Sequence, residues 1–195
     1  DAAHGQGEYL ASLDRLMGAS DASVFQPFAQ DSFSRWSRTG STSTTDLVND
    51  AVPWIQAQRS ANKPWFAWVA FNAPHFPFHL PSPTSLCPHY TGLSGTAADI
   101  NANRISYYNA MVEAMDTEIG RLLAAVDLNT TNVIFIGDNG TNLQVLQTPF
   151  TGGRGKDTLY EGGVRVPMII RGPAVVSAGR TSPVLTHVVD LYSTI

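Results

Sequence analysis

The chain has 195 residues, of which 43% are hydrophobic and 14% charged, a composition typical of one globular domain. Its formal net charge of −4, without any run of Lys or Arg, makes nucleic acid a poor candidate partner. A single cysteine, Cys87, excludes an internal disulfide framework and a zinc site built from several cysteines, and it leaves the redox compartment open.

The apolar stretches show whether the chain could cross a membrane, and its two ends suggest whether it is a fragment. The longest unbroken apolar stretch, residues 65–71, is far shorter than the ~20 residues that a membrane-spanning helix needs. The first ten residues lack the basic start and apolar core of an export signal, which would have been removed or would lie upstream. The last ten, "THVVDLYSTI", indicate a helix that has just begun, with Thr186 as its candidate cap. We therefore expect a fragment.

The first predicted elements are irregular or helical. Residues 1–43 are rich in Ser, Gly, Gln and Thr and predict loops and short irregular elements. A helix should follow over "TTDLVNDAVPWIQAQR", capped near Thr45 or Asp46, with a kink or restart at Pro53. The next segment, "KPWFAWVAFN", predicts a buried strand because it is short, rich in aromatics and apolar on both faces. Four prolines make the following "APHFPFHLPSP" a loop at the end of that strand.

The most regular pattern lies between Ile105 and Val126, where apolar residues recur at helical spacing over about six turns. Residues 132–137, "NVIFIG", predict a second buried strand, and "VRVPMIIRGP" a third, with Pro167 favouring an edge or a bulge. A strand, a long helix and a strand in this order indicate a right-handed crossover in a parallel sheet covered by helices. We therefore expect an α/β fold in which the first two strands are parallel neighbours or near neighbours in one sheet and the long helix packs across a face of it.

Polar residues follow both of these strands, and a glycine-rich segment, residues 140–164, follows the second. Ligands of α/β sheets bind outside the carboxyl ends of the strands, and long loops without regular structure are usually functional. The segments "NAPHFP" and "GDNGTN" and the glycine-rich segment should therefore converge on one place.

Two residues of this region, Asp138 and Asn139, offer the hard oxygen ligands that Ca²⁺ or Mg²⁺ prefers. Taken alone, the Asp-Asn-Gly sequence more often forms a turn in which the side chains bond their own backbone. His75 taken alone is more often a structural histidine. The expectation of a site rests on the placement of these residues at the ends of adjacent strands.

The glycine-rich segment contains a lysine that could bind an anion. Lys156 would ordinarily be a solvated surface charge, but the glycines at 152, 153 and 155 allow close backbone approach and could present the amine to an anion. Glu161 and Arg165, which flank the "GG" of this segment, could equally form a structural ion pair.

Five segments, in this order, resemble the later half of the sulfatase catalytic domain: "KPWFAWVAFNAPHFP", "YYNAMVEAMDTEIGRLL", "VIFIGDNG", "GGRGKDTLYEGGVRVPMIIRGP" and "THVVDLYST". The similarity covers most of residues 44–195, and the "DNG" and "GK-x-TLYEGG-x-RVP" blocks are specific to this family within the alkaline-phosphatase-like superfamily. The resemblance implies an alkaline-phosphatase-like sandwich, with a largely parallel central sheet flanked by helices, of which residues 1–195 form part.

The resemblance also implies roles for four residues. In sulfatases the matching Asp and Asn bind a divalent cation, usually calcium, so Asp138 and Asn139 are the expected metal ligands, with Mg²⁺ as the alternative ion. His75 and Lys156 are the expected catalytic and substrate-binding residues, because the matching histidine contacts the sulfate ester and the matching lysine holds a sulfate oxygen. The histidine would contact the bridging oxygen or give a proton to the leaving alcohol.

The sulfatase nucleophile is missing from this chain. Sulfatases oxidise Cys or Ser to formylglycine within Cys/Ser-x-Pro/Ala-x-Arg, whereas Cys87 stands in "CPHYT" and is expected to be an ordinary loop cysteine. The acidic pair that completes the cation site and the "GK-x-H" segment are also missing, and all of these lie upstream in the family. We therefore expect a truncated catalytic domain that carries half an active site and does not turn over substrate by itself.

The function implied is that of a sulfuric ester hydrolase acting on a small-molecule or saccharide sulfate ester. Phe76, Phe78 and His79, close to His75 in the sequence, suggest an apolar wall suited to an aromatic or sugar leaving group. The resemblance alone favours a periplasmic or secreted location, and the oligomeric state stays open. Two alternatives remain: a phosphodiesterase or phosphonate hydrolase of the same superfamily, and a non-catalytic binding module in which the half-site is a relic.

Overall fold

The computed structural model describes residues 44–191. The elements in chain order are the helices α1 (Thr44–Ser60), α2 (Ala97–Ala102) and α3 (Arg104–Ala124), the strand β1 (Val133–Ile136), the one-turn helix α4 (Glu161–Val164) and the strand β2 (Met168–Arg171). Short 3₁₀ helices lie at Thr84–Leu86, Leu143–Val145 and Val188–Leu191. The loops predicted for residues 1–43 lie outside the described residues. The predicted C-terminal helix is described only as the 3₁₀ helix Val188–Leu191.

Two helices, α1 and α3, form the helical part of the fold and pack on each other. The buried residues of α1, Val48, Ala51 and Ile55, recur every three or four positions and so share one face. Both helices are confirmed, but the helix does not restart at Pro53, because α1 continues through it. Pro53 lies on the exposed side of the helix, and buried residues before and after it hold both halves against α3.

A buried acid joins the beginning of α1 to the last turns of α3. Glu118, 3% exposed, forms an ion pair with Arg121 at 2.6 Å and accepts a hydrogen bond from Thr45 Oγ1 at 2.8 Å. Arg121 Nη2 in turn donates to the backbone oxygen of Thr45 at 3.3 Å. A buried carboxylate is tolerated where such partners satisfy it, so this network sets the register of the two helices.

The loop that carries His75 is anchored to α3 through the hydrophobic core. Phe78, Tyr107, Met111 and Val145 form one buried cluster. The ring of Phe78 also meets that of Tyr108 edge to face, with centroids 6.1 Å apart. The core therefore fixes the chain three residues after His75.

The sheet within the described residues differs from the expected one in direction. Its two strands, β1 and β2, are antiparallel, with Val133 opposite Arg171 and Ile136 opposite Met168. The second and third predicted strands are thereby confirmed as strands, although β1, predicted to be buried, is only partly so. No parallel pair occurs within residues 44–191. Which strands pair depends on hydrogen bonds between distant segments, and the apolar pattern of one segment does not encode them.

The strand predicted over residues 65–71 is wrong, since this segment has no regular secondary structure. Trp65 packs edge to face on Trp54 of α1, with ring centroids 6.3 Å apart, while Trp68 is 58% exposed. The aromatic run therefore reflects packing against a helix and not a ladder of backbone hydrogen bonds. Helix α3 likewise packs mainly on α1 and does not lie across a pair of parallel strands. None of the helices within residues 44–191 is long and apolar enough to cross a membrane.

Candidate active site

Two of the four predicted site residues, His75 and Lys156, are in direct contact. Lys156 Nζ lies 3.2 Å from His75 Nε2, although the two residues are 81 positions apart in the chain. The other ring nitrogen, Nδ1, lies 2.6 Å from the backbone oxygen of Phe76. A carbonyl oxygen can only accept a hydrogen bond, so Nδ1 carries the hydrogen and Nε2 accepts from Lys156. This arrangement turns Nε2 toward the lysine and leaves it as the nitrogen that can exchange a proton with a ligand.

The segment after β1 and the glycine-rich loop meet through their backbones. Lys156 N donates to Thr141 O at 2.8 Å, and Gly140 N donates to Gly163 O at 2.8 Å. A Cβ on Gly140 would stand 1.9 Å from Gly162 O, a distance that real Cβ atoms do not show. Only glycine permits this approach, which places Lys156 beside the residues that follow Asn139.

Asp138 and Asn139 are exposed at the end of β1. Asn139 N donates to Asp138 Oδ1 at 2.8 Å, and Asn139 Nδ2 donates to Gly140 O at 2.9 Å. With its N–H directed at the backbone, the Asn139 amide keeps its oxygen for another partner, and the carboxylate is a second hard oxygen donor. This donor set fits calcium or magnesium. Residues 44–191 contain no group of three or more His, Cys, Asp or Glu that could hold a metal. These two side chains by themselves do not complete the ligand set of such a cation.

The apolar wall expected near His75 is smaller than predicted. Phe78 is 4% exposed and belongs to the core, so its assignment to the wall is wrong. Phe76 is 48% exposed and contacts Phe78 edge to face, with centroids 5.7 Å apart. His79 is exposed, and its Nδ1 lies 3.1 Å from Pro77 O. Phe78 thus points into the core, whereas Phe76 and His79 stay at the surface.

Cys87 is buried, with 1% of its surface exposed, just after the 3₁₀ helix Thr84–Leu86. Its thiol lies 3.6 Å from Thr84 O, and burial, with a smaller contribution from the nearby Glu113 carboxylate, raises the pKa of the thiol. Such a thiol is a packing residue and a poor nucleophile.

Glu161 and Arg165 form an ion pair at 3.4 Å with both side chains exposed, which adds little stability.

A pocket on the glycine-rich loop was not predicted from the sequence. It has a volume of about 260 Å³ and is lined by Pro149, Phe150, Arg154, Tyr160, Glu161 and Gly162. The available signal was the arginine of "GGRGK", a second cation two positions before Lys156.

Comparison with known proteins places this chain in a family. The family model described as Sulfatase matches residues 10–195. N-acetylgalactosamine-6-sulfatase of Canis lupus familiaris is 29% identical over 168 residues, which cover 80% of this chain and 29% of that protein. A sulfatase of Formosa agariphila is 32% identical over 179 residues, with 77% of this chain and 29% of that protein covered.

The fold comparison agrees with the sequence comparison. The crystal structure of Ps i-CgsB in complex with k-i-k-neocarrahexaose superposes with a TM-score of 0.55 at 28% identity, covering 70% of this chain and 29% of that one. The chain thus spans about 29% of the length of each of these three proteins. Since the family model matches nearly the whole chain, the chain belongs to the sulfatase family.

Proposed function

We propose that this chain supplies the sulfate-binding half of the active site of a sulfuric ester hydrolase. The observation that carries the proposal is the 3.2 Å contact between Lys156 Nζ and His75 Nε2, made by two segments that are far apart in sequence. Such a contact offers an ammonium donor and a proton-exchanging imidazole at one point, the combination that an anionic ester requires.

In this proposal Lys156 and His75 are the catalytic and substrate-binding residues. The ammonium of Lys156 binds one sulfate oxygen and offsets charge that redistributes as the S–O bond breaks. His75 Nε2 lies beside that oxygen and, once protonated, gives its proton to the leaving alcohol, while Nδ1–H stays bonded to Phe76 O.

Asp138 and Asn139 are the proposed ligands of the divalent cation, calcium or magnesium, and their exposed oxygens at the end of β1 support this assignment. When bound, the cation polarises the sulfate group. The remaining ligands and the formylglycine nucleophile are proposed to lie upstream, in the part of the catalytic domain that residues 1–195 do not include. The complete domain would have the alkaline-phosphatase-like sandwich with a largely parallel central sheet.

The proposed substrate is a saccharide sulfate ester, with small-molecule sulfates accepted at the same centre. Support comes from the names of two relatives, an N-acetylgalactosamine-6-sulfatase and a protein crystallised with a neocarrahexaose. The exposed ring of Phe76 beside His75 is compatible with a sugar face.

The test is the substitution Lys156→Ala in the full-length protein that contains this chain. Loss of one preorganised electrostatic contact typically costs about 2.7–4 kcal/mol, so hydrolysis of 4-nitrophenyl sulfate should slow roughly a hundred- to a thousandfold. Steady-state kinetics measure the effect.

The matched control is Lys63→Ala, which removes the other lysine of the chain at an exposed position just after α1. It should leave the rate unchanged, and both variants should unfold at the parental denaturant concentration. A Lys156→Ala protein that hydrolyses the ester at the parental rate would show that the glycine-rich loop is structural and that the anion site is wrongly assigned.

A further inference from the structure

The pocket on the glycine-rich loop combines an apolar wall with both signs of charge. Phe150 and Pro149 supply the wall, and Arg154, Tyr160 and Glu161 supply the polar groups around a volume of about 260 Å³. A pocket of this size holds one ring of a ligand and not a whole oligomer.

The guanidinium of Arg154 is available to a ligand. Its central carbon lies 4.9 Å from the centroid of the Tyr160 ring, a cation–π contact that orients the plane of the group. Within residues 44–191 this ring is the only partner of the guanidinium, which has no ion pair or hydrogen bond there. Its N–H donors can therefore bind a planar or tetrahedral anion, the ligand that guanidinium groups match best.

The acid in the pocket, Glu161, has a cationic partner other than Arg154. Glu161 pairs with Arg165 at 3.4 Å, so its carboxylate already has a cationic partner outside the pocket lining. Carboxylate oxygens also accept hydrogen bonds from hydroxyl groups. Apolar rings, a hydroxyl acceptor and a guanidinium together match a pyranose that carries an anionic substituent.

The pocket adjoins the candidate active site through the backbone. Gly162 lines the pocket, and its oxygen would lie 1.9 Å from a Cβ on Gly140, the residue next to Asn139. Arg154 and Lys156 are separated only by the buried Gly155, so their Cα atoms are at most about 7 Å apart. The two cations therefore belong to one short stretch of the glycine-rich loop.

We propose that this pocket is a second subsite for an anionic sugar. It binds a sugar next to the one whose sulfate ester lies at Lys156, and Arg154 binds the sulfate or carboxylate of that neighbouring sugar. The inference rests on the proposed function for the identity of the reacting ester. It makes the preferred substrate a saccharide with anionic groups on adjacent sugars.

The test compares Arg154→Ala with the parental full-length protein on two substrates. The substrates are 4-nitrophenyl sulfate, which has one anionic group, and a sulfated galactan oligosaccharide with sulfates on adjoining sugars. Arg154→Ala should raise KM for the oligosaccharide about tenfold, the typical effect of one exposed charge-assisted hydrogen bond. Its kinetics on 4-nitrophenyl sulfate should stay parental.

Arg171→Ala is the matched control because it removes an exposed arginine opposite Val133, at the other end of the β1–β2 ladder from Gly137. Arg171→Ala should leave the kinetics on both substrates unchanged. An unchanged KM of Arg154→Ala for the oligosaccharide would overturn the subsite, and so would equal losses on both substrates, which would place Arg154 at the reacting group.

Titration calorimetry separates failure of the subsite from failure of the proposed function. The parental protein should bind the sulfated oligosaccharide about tenfold more tightly than Arg154→Ala does, and both should bind the desulfated oligosaccharide equally. If neither substrate is hydrolysed but the difference in affinity persists, the subsite is supported and the proposed sulfatase activity is wrong. If hydrolysis occurs and the two proteins bind the sulfated oligosaccharide equally, only the subsite is wrong.

Discussion

At the scale of single residues, His75 shows how two ordinary contacts can orient a proton-exchanging group. Phe76 O fixes the hydrogen on Nδ1, and the ammonium of Lys156 occupies Nε2. In the proposed function, a sulfate oxygen would replace His75 Nε2 as the hydrogen-bond partner of the Lys156 ammonium. Neither contact is visible from the residue types, because a histidine and a lysine in separate loops are more often solvated.

Asp138 supports a prediction at the same scale. If its carboxylate is a cation ligand, Asp138→Ala should weaken calcium binding at least ~tenfold, or about 1.4 kcal/mol, and a high calcium concentration should restore part of the lost activity. Calorimetric titration with calcium measures the binding, and Asp116→Ala, which removes an exposed acid from α3, is the control. Parental calcium affinity in Asp138→Ala would exclude this residue as a ligand.

At the scale of elements, the segment after β1 and the segment that contains α4 are packed at backbone distance. Gly140 N donates to Gly163 O, and the Cα of Gly163 would lie 2.6 Å from a Cβ on Gly140. Because the crowded atoms are backbone and not flexible side chains, neither segment can yield locally. This contact holds Asn139 and the loop of Lys156 in one arrangement.

Gly140→Ala should therefore destabilise the protein by about 1–3 kcal/mol, the usual effect of overpacking. Gly120→Ala is the control, since a Cβ there meets nothing within 4 Å and alanine favours the helical conformation of α3. Urea unfolding would compare the two. If Gly140→Ala had the parental urea midpoint, the segment after β1 and the segment that contains α4 could move apart without loss of stability.

A second element-scale contact ties the start of α2 to α3. Asp99 Oδ2 accepts hydrogen bonds from the buried Tyr107 hydroxyl at 2.5 Å and from Ser94 N at 2.8 Å. The bond from Tyr107, followed by that from Ser94 N, lowers the pKa of Asp99 to about 2. The loop before α2 is thereby held to the helix that carries much of the core.

This pKa predicts the acid dependence of stability. A carboxyl group whose folded pKa lies below its unfolded value stabilises the protein above the unfolded value, about 3.9, and loses that contribution as the pH falls toward 2. The parental protein should thus lose stability more steeply between about pH 4 and pH 2 than Asp99→Asn does. Urea unfolding at several pH values measures this. If the free energy of unfolding of the two proteins fell in parallel as the pH is lowered, Asp99 would not contribute to the acid dependence of stability.

At the scale of the whole molecule, the described residues leave apolar surface on the small sheet. Ile169 is 63% exposed and Ile170 is 41% exposed, so neighbouring residues of β2 are uncovered on both sides. Sheets of α/β domains normally bury such residues under helices. Within residues 44–191 this surface lacks the helical cover that such sheets normally have.

The sequence by itself determined the elements whose signal is local. Apolar residues at helical spacing predicted α3 and most of α1, and a short apolar run predicted β1, because burial of one face or one short segment is a property of the segment itself. Motifs with unusual residue order, such as "DNG" and "TLYEGG", were enough to indicate the family.

Only the tertiary structure decided what depends on partners distant in the chain. The aromatic run at 65–71 packs on α1 in place of a strand, and β1 pairs with β2 in the antiparallel direction. The sequence predicted that the loop of His75 and the glycine-rich segment converge, but the 3.2 Å contact of Lys156 with His75 and the pocket around Arg154 came only from the structure. Hydrophobic periodicity reports that a residue is buried, whereas pairing, direction and proximity are set by hydrogen bonds and packing between segments.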